Sequence, residues 1–190
     1  MERVEFALKN LNGKILDIGY SVGGIHQKFI EKFGKENIFG IDIETKKNTP
    51  NYKNASAEKI PFEENEFDSV FAGELIEHLE KPELFLKETN RVLRKNGSLV
   101  LTTPNRKSLV NRIFKSYETP IHINLFNYPQ LEKLLKKNGL KVEKFFCQPY
   151  SDENCYGSRN KWSFLFRKIV HYLLPRSLQE QMIVKAVKTK

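Results

Sequence analysis

The sequence contains few cysteines and no long apolar run, and these absences exclude several classes of protein. Its 190 residues include two cysteines, Cys147 and Cys155, with no C-x-x-C pair and no cluster of histidines along the chain. A disulfide scaffold and a metal site are therefore not expected. No stretch approaches the roughly 18 apolar residues of a membrane span. Residues 1–5 carry charged side chains from the second residue on and lack the apolar segment of a signal peptide, so we expect a soluble, cytoplasmic protein.

The composition indicates one folded domain. Hydrophobic residues make up 39% of the chain and charged residues 29%, while 10 glycines and 8 prolines are too few for a low-complexity sequence. A chain of this length buries one core, so we expect a single domain over residues 1–190. The composition predicts no particular oligomeric state.

Short apolar segments alternate with amphipathic segments along most of the chain. The pattern predicts strands at residues 14–18, 37–43, 54–57, 67–72, 98–103, 141–146 and 181–187. It predicts helices at residues 2–10, 24–33, 75–79, 82–94, 129–138 and 162–174. Such alternation is typical of βαβ units around a parallel sheet. We predict an α/β fold: a doubly wound, seven-stranded, mostly parallel, Rossmann-like sheet with an antiparallel last strand at its edge.

The turn after the first strand carries a carboxylate close to a glycine-rich segment. Asp17 precedes Gly19 by two residues, and Ser21 stands where a G-x-G-x-x-G dinucleotide fingerprint has its middle glycine. A carboxylate here would repel a pyrophosphate but would suit a ligand that presents a cation. S-adenosylmethionine presents both an ammonium and a sulfonium group. The turn therefore favours that cofactor over a dinucleotide.

A second carboxylate ends the second predicted strand. Asp42 lies 19 positions after Gly23, where an acidic residue can accept hydrogen bonds from both hydroxyls of a ribose. This feature is common to nicotinamide and S-adenosylmethionine sites. The alternative is an aspartate that caps the next helix. The position supports a nucleoside ligand without choosing between the two cofactors.

Several further short segments, together with the two strand ends that carry Asp17 and Asp42, form a characteristic series of motifs along the chain. In chain order the set reads LDIG at 16–19, GID at 40–42, AEKIPF at 57–62, FDSV at 67–70, EHLEKP at 77–82, RVL at 91–93, NG at 96–97 and TPN at 103–105. Together these segments resemble the class I S-adenosylmethionine-dependent methyltransferases, most closely the small-molecule, type 11 branch that includes the quinone-biosynthesis enzymes. The resemblance covers nearly the whole chain.

The resemblance implies a set of residues that bind S-adenosylmethionine. They are Asp17, Gly19, Tyr20, Ser21 and Gly23 around the methionine portion, Asp42 at the ribose, Ile43, Ser56 and Ala57 around the adenine, and Gly73 near the sulfonium. Two positions depart from the family pattern, because Ser21 replaces a glycine and Ser56 replaces an aspartate. Both departures bear on cofactor affinity, and they leave open a non-catalytic partner subunit with this fold.

Two histidines are candidate catalytic bases. His78 follows the fourth predicted strand, and His122 lies in the loop after the fifth. A base is needed when the acceptor begins protonated, as a phenol with a pKa of about 10 does. On a predicted helix, Glu74 would share a face with His78 and orient it. The alternative for either histidine is a structural, hydrogen-bonded role.

The charge distribution suggests the acceptor. Residues 1–103 carry 15 basic and 17 acidic side chains, whereas residues 104–190 carry 17 basic and 6 acidic ones. In this family the acceptor is covered by segments equivalent to residues 104–125 and 150–178. We therefore expect a small, anionic or lipid-like acceptor that is methylated on oxygen. The sequence has no D/N-P-P-Y/F turn after the fourth strand, which argues against methylation of base or glutamine nitrogens.

Residues 161–174 combine basic side chains with apolar residues at helical spacing. Such a helix suits contact with a membrane surface, and its alternative is an apolar face packed on the domain. The basic second half also leaves an RNA methyltransferase open, although no appended RNA-binding module is visible.

Overall fold

The chain forms one seven-stranded sheet with helices on both faces. The structure is a computed structural model that describes residues 3–20, 24–46, 48–113, 122–148, 165–166, 169–170 and 172–189. The strands are β1 (Ile15–Ile18), β2 (Ile38–Asp42), β3 (Tyr52–Asn54), β4 (Phe67–Gly73), β5 (Leu93–Pro104), β6 (Leu140–Gln148) and β7 (Gln181–Lys188). The helices are α1 (Arg3–Asn10), α2 (Ile25–Phe33), α3 (Pro82–Val92), α4 (Leu109–Ile113) and α5 (Tyr128–Lys137). Short 3-10 turns occupy Lys35–Asn37, Ile76–His78 and Arg176–Leu178.

The strand order is β3-β2-β1-β4-β5-β7-β6. Strands β1 to β5 pair in parallel, and β7 pairs antiparallel with both β5 and β6. The predicted doubly wound, mostly parallel sheet with an antiparallel last strand is confirmed. Because the order reverses beside β1, the carboxyl ends of β1 and β4 flank the crevice where such sheets bind ligands.

Each face of the sheet buries its own apolar cluster. Neighbouring side chains on a strand point to opposite faces, so Leu16 and Val70 lie in one cluster with α3 and α5, while Ile15 and Phe71 lie in the other with α1 and α2. All four side chains are at most 2% exposed. The strands are therefore held firmly on both sides, and their carboxyl ends form a rigid base for a site.

The predicted edge position of the last strand is wrong. β7 lies between β5 and β6, and it pairs with β5 from Ser98↔Val187 to Pro104↔Gln181. The edge is instead β6, which the sequence pattern placed correctly as a strand but not in the order of the sheet. Strand order depends on contacts between distant segments, which apolar periodicity does not report.

Two predicted elements beside the crevice also differ from the structure. The predicted helix at 75–79 is a single 3-10 turn, Ile76–His78, because Glu74 before it adopts a left-handed φ of 52°. The predicted strand at 54–57 lies earlier, at Tyr52–Asn54. The Asn54 side chain ends this strand by donating to the carbonyl groups of Ile43 and Thr45. Ser56 therefore lies in the loop beyond the strand.

The remaining differences lie away from the crevice. The Asn96–Gly97 pair predicted to precede the fifth strand lies inside β5, with Asn96 at a φ of 64°. The short helix α4 was not predicted. Within the predicted helix at 162–174, residues 165–166, 169–170 and 172–173 are described and are helical. No helix in the described parts of the chain is long and apolar enough to cross a membrane.

Candidate active site

A cavity of about 750 Å³ opens at the carboxyl ends of β1, β2 and β4. Eight of the sequence-predicted site residues line it: Asp17, Gly19, Asp42, Ile43, Ser56, Ala57, Gly73 and His78. Ser21 and Gly23 lie outside the described residues. The sequence prediction thus identified one contiguous cavity, although its members are spread over about 60 residues of the chain.

Asp17 anchors a buried chain of hydrogen bonds in one wall of this cavity. Its carboxylate is 1% exposed, and its Oδ2 lies 2.8 Å from Nδ1 of His26. The other ring nitrogen of His26 lies 3.1 Å from the hydroxyl of Tyr52. Burial raises the pKa of Asp17, an effect that the hydrogen bond and charge of His26 oppose and the charge of Asp42 reinforces. A buried carboxylate in this environment is well suited to a cationic ligand group.

His26 was not among the predicted site residues. It occupies the first turn of α2, whose helical spacing indicates the buried apolar residues Ile25 and Phe29 but gives no reason to single out a histidine. The signal that could have identified it is a histidine one turn into the helix that follows an acidic strand end. Its contact with Asp17 still depends on how α2 leaves the turn after β1.

Tyr20 lies behind the lining of the cavity and supports it. Its ring centroid is 4.9 Å from that of His26 and 5.1 Å from that of Tyr52. Its hydroxyl is 3.0 Å from Oγ1 of Thr45. The ring also packs against Gly40, where an added Cβ would lie 2.5 Å from Cδ1 of Tyr20. A glycine at this position of β2 is therefore required by the close approach of an aromatic ring.

Asp42, Ile43 and Ser56 form a further part of the cavity lining. Oδ1 of Asp42 accepts a hydrogen bond from the backbone N–H of Glu44 at 2.8 Å, which fixes the carboxylate at the end of β2. Next to it, Ile43 exposes 72% of its surface. Ser56 lines the same cavity, and its hydroxyl accepts a hydrogen bond from the N–H of Glu58 at 3.1 Å. An exposed apolar side chain beside a fixed carboxylate suits a nucleoside, with its ribose on Asp42 and its base on Ile43.

The end of β4 turns sharply into the cavity at Gly73 and Glu74. The N–H of Glu74 donates to the carbonyl oxygen of Thr102 at 3.0 Å and lies 3.2 Å from the hydroxyl of Thr102, which stabilises its left-handed backbone. Its Oε1 accepts from Nε2 of Gln181 at 2.9 Å. Burial raises the pKa of Glu74, whereas the charge of Arg3 lowers it. Arg3 and Glu74 both line the cavity, and neither was predicted as a binding residue.

A second polar cluster lies next to this turn. One ligand-type atom each from Glu77, His78 and His122 lies within 4.8 Å of the other two. The two imidazole centroids are 4.9 Å apart. Burial raises the pKa of Glu77 well above its usual range, and the charge of Glu74 reinforces this. Burial and the charge of His78 lower the pKa of His122, so this imidazole favours its neutral form.

The structure therefore places the two predicted catalytic histidines next to each other, but the carboxylate beside His78 is not the one expected. The expectation that Glu74 orients His78 along a helix is wrong, because a 3-10 turn replaces the helix. Glu77 is the carboxylate beside His78, with Oε1 3.9 Å from Nε2. Only His78 of the two histidines reaches the cavity lining, and His122 lies beside it.

Comparisons with known proteins agree with this geometry. Residues 1–144 match the model of a family described as a methyltransferase domain. The chain is 32% identical over 121 residues to a ubiquinone biosynthesis O-methyltransferase of Pelagibacter ubique, covering 58% of this chain and 46% of that protein. It is 30% identical over 203 residues to the mitochondrial ubiquinone biosynthesis O-methyltransferase of Bos taurus, covering 91% of this chain and 53% of that protein. The chain thus spans about half the length of these curated relatives.

The fold has a similarly clear counterpart among solved structures. A SAM-dependent methyltransferase of Archaeoglobus fulgidus superposes with a TM-score of 0.67 at 20% identity, covering 98% of this chain and 90% of that one. The residues of the cavity fit the cofactor of such proteins, with a buried carboxylate for its ammonium group and a second carboxylate for its ribose. The chain belongs to the methyltransferase domain family, within the class I proteins whose cofactor is S-adenosylmethionine.

Proposed function

We propose that this protein transfers the methyl group of S-adenosylmethionine to a hydroxyl oxygen of a small, anionic or lipid-like acceptor. The proposal rests on one observation: residues suited to binding the cofactor and polar residues suited to the acceptor line the same cavity. Asp17, Asp42 and Ile43 supply the features that a charged nucleoside needs, and Glu74 and His78 add further polar groups to the same lining. Gly73 also lines this cavity.

The residues of the chain act mainly by positioning. Asp17, held by His26, binds the ammonium group, Asp42 accepts from the ribose hydroxyls, and Ile43 covers the adenine face. The cofactor supplies an electrophilic methyl carbon, and aligning it with the acceptor oxygen accounts for on the order of 7–11 kcal/mol of the barrier. His78 lines the same cavity, where it can act on the proton of the acceptor hydroxyl.

Oxygen as the acceptor atom is supported by the two curated relatives compared above, which are both O-methyltransferases. An anionic acceptor is supported by the excess of basic residues after residue 103. In the described part of the loop after β5, Arg106, Lys107 and Arg112 are exposed.

A lipid-like acceptor is supported by an exposed apolar surface near the carboxyl terminus. Leu165, Phe166, Ile169, Tyr172 and Leu173 are between 47% and 80% exposed. This exposure favours contact of the helix with a membrane surface over packing of its apolar face on the domain. We propose that these side chains enter the interface of an anionic bilayer.

Sedimentation with lipid vesicles tests this contact. Phe166→Glu should abolish sedimentation with vesicles of phosphatidylglycerol and phosphatidylcholine. Leu84→Glu, which alters a side chain 42% exposed on α3, should leave sedimentation unchanged, and equal effects of both would refute the contact.

Thermal unfolding with separate ligands tests the proposed function first. S-adenosylmethionine at about 100 times its dissociation constant should stabilise the protein by roughly 2.7 kcal/mol, a rise in Tm of about 5–10 °C. S-adenosylhomocysteine should act similarly, and NAD should have no effect. An absence of any rise would contradict the proposal and favour a non-catalytic partner subunit.

Methyl transfer to a matched pair of acceptors tests the charge preference. 3,4-Dihydroxybenzoate and its methyl ester share the same hydroxyl groups, but only the first carries a carboxylate. The protein should methylate the carboxylate form with the higher kcat/KM. A preference for the ester would refute an anionic acceptor. Binding of RNA that weakens steeply with added salt would instead favour an RNA substrate.

A further inference from the structure

We propose that His26 and Tyr52 are positioning residues that couple cofactor binding to the release of one proton. The ammonium group of the cofactor displaces a proton from the pair of Asp17 and His26, and Tyr52 lets the imidazole lose that proton without moving. Neither His26 nor Tyr52 lines the cavity, so both act through Asp17. The inference deepens the proposed function and rests on its placement of the ammonium group at Asp17.

The imidazole of His26 is held at both of its nitrogen atoms. Nδ1 lies 2.8 Å from Oδ2 of Asp17, and Nε2 lies 3.1 Å from the hydroxyl oxygen of Tyr52. An ionised carboxylate can only accept hydrogen bonds, so Nδ1 carries a hydrogen whenever Asp17 is charged. The proton that the ring gains or loses beside a charged Asp17 is therefore the one on Nε2.

The hydroxyl of Tyr52 is a partner that suits both states of Nε2. It donates to Nε2 when the imidazole is neutral, and it accepts from the N–H of Nε2 when the imidazole is protonated. Between the two states only the hydroxyl hydrogen has to rotate. Burial raises the pKa of Tyr52, and the charges of Tyr20 and Asp17 raise it further, so the hydroxyl keeps its proton at neutral pH.

The surroundings keep these rings in place. The N–H of Thr49 donates to the carbonyl oxygen of Tyr52 at 2.8 Å, and the N–H of Tyr52 lies 3.0 Å from Oγ1 of Thr49, to which it donates. The rings of His26 and Tyr52 meet edge to face with centroids 5.4 Å apart, and Tyr20 packs against both. The His26 side chain is only 13% exposed. The ring therefore has little room to turn away from Asp17.

The charge balance around this pair changes when the cofactor binds. The titratable groups that face His26 are Asp17 from β1, Tyr20 from the turn after β1 and Tyr52 from β3. A carboxylate that is 1% exposed is costly without a compensating charge, and the charge of Asp42 adds to the cost. In the empty protein a proton held by the pair offsets it. The ammonium group supplies the same positive charge, so the second one becomes unfavourable and the proton leaves to solvent.

Cofactor affinity should therefore depend on pH. Where the pair holds the additional proton, the cofactor has to displace it, so affinity falls as the pH falls, by up to about tenfold per pH unit for one proton. Where the pair has already lost the proton, affinity does not change with pH. The α-amino group of the cofactor loses its own proton only near pH 8. Measurements between about pH 5.5 and 7.5 cover the range in which histidine side chains change charge.

NMR of the full chain with ¹⁵N-labelled histidine rings tests the proton release. The chain has four histidines, and the signals that disappear in His26→Gln identify His26. At about pH 6, saturating S-adenosylhomocysteine should convert this ring from the form with hydrogen on both nitrogens to the neutral form with hydrogen on Nδ1. Methylthioadenosine keeps the nucleoside and the sulfur but lacks the amino acid portion. At saturation it should leave the ring protonated.

Calorimetric titration over the same pH range tests the role of Tyr52. Hydrogen bonds of charged groups are about twice as strong as neutral ones, so Tyr52→Phe removes more from the protonated ring than from the neutral ring. The pH below which the affinity for S-adenosylhomocysteine falls should therefore drop by on the order of one pH unit. The matched control is Tyr128→Phe on α5, which removes a hydroxyl that donates to Glu132 at 2.8 Å and should leave the profile unchanged.

The possible outcomes separate this inference from the proposed function. Normal binding of S-adenosylhomocysteine without a change at His26 would overturn the proton release, and so would an equal change with methylthioadenosine. An unaltered pH profile in Tyr52→Phe would overturn the role of Tyr52. The comparison of the two ligands uses the wild-type protein, so it stays valid if a variant does not fold. A failure of the wild type to bind S-adenosylhomocysteine at all would overturn both the inference and the proposed function.

Discussion

Replacing the buried carboxylate of Asp17 with an amide should weaken cofactor binding and stabilise the empty protein. In Asp17→Asn the shape of the side chain is retained, but the negative charge that would meet the ammonium group is lost. A hydrogen bond to a charged group contributes about 1.5–3 kcal/mol. The affinity for S-adenosylmethionine should therefore fall by about 10- to 150-fold, as measured by titration calorimetry.

The effect on the unliganded protein should have the opposite sign. Burial raises the pKa of Asp17 above its unfolded value, so the protonated carboxyl is the form favoured by folding. That stabilising contribution is complete below the unfolded pKa of about 3.9 and is lost as the pH rises through the folded pKa. At pH 7 the ionised carboxylate therefore destabilises the fold. Asp17→Asn should have the higher Tm without ligand at pH 7, and the difference should shrink as the pH approaches 4.

Asp68 offers a matched control with the opposite electrostatics. Burial alone would raise its pKa, but hydrogen bonds from the N–H of Lys14 at 2.7 Å and from Arg94 at 2.8 Å hold the pKa below its usual value. Asp68→Asn should therefore lower Tm at pH 7 and leave cofactor affinity unchanged. If Asp17→Asn bound the cofactor within twofold of the wild type, or if both variants shifted Tm in the same direction, the reasoning would be refuted.

Three further substitutions test the walls of the cavity. Gly40→Ala should lower Tm and weaken cofactor binding, because its Cβ would lie 2.5 Å from Cδ1 of Tyr20 and overpacking costs about 1–3 kcal/mol; an unchanged Tm would contradict the role of Tyr20. His26→Gln should weaken cofactor binding less than Asp17→Asn, and calorimetry on the double variant should show less than the sum of the two effects. Ile43→Ser should lower affinity by about tenfold without lowering Tm, because the side chain is 72% exposed in the empty protein.

The parts of the site that could be predicted from sequence are those set by local geometry. Asp17 and Asp42 each follow an apolar strand of a parallel sheet, so strand assignment alone brings both carboxylates to the same edge. Ile43 follows from the same reasoning, because it is the next residue along. These positions needed no knowledge of long-range packing.

The residues that were missed depend on packing between distant segments. Arg3, the first residue of α1, lines the cavity, which the helical pattern of α1 does not reveal. His122 was predicted as a candidate base, but its position beside Glu77 depends on the backbone hydrogen bonds that Ile123 and Asn124 donate to the distant carbonyl group of Glu77. The turn at Glu74 replaces a helix because Thr102 on the neighbouring strand binds its backbone. Each of these features is decided by tertiary contacts that override local preference.

The position of β7 has a consequence for the order in which the molecule assembles. All the paired residues of β6 have their partners on β7, so β6 cannot join the sheet before the last strand arrives. Until β7 pairs with it, β5 is an unpaired edge strand, and such an edge is prone to aggregation. The pairing of β5 with β7 forms slowly because the two strands are distant in sequence. Thr102 and Thr103, which support Glu74 and Glu77, pair with Ile183 and Met182. The hydrogen bonds around Glu74 are therefore complete only when β7, which carries Gln181, has joined the sheet.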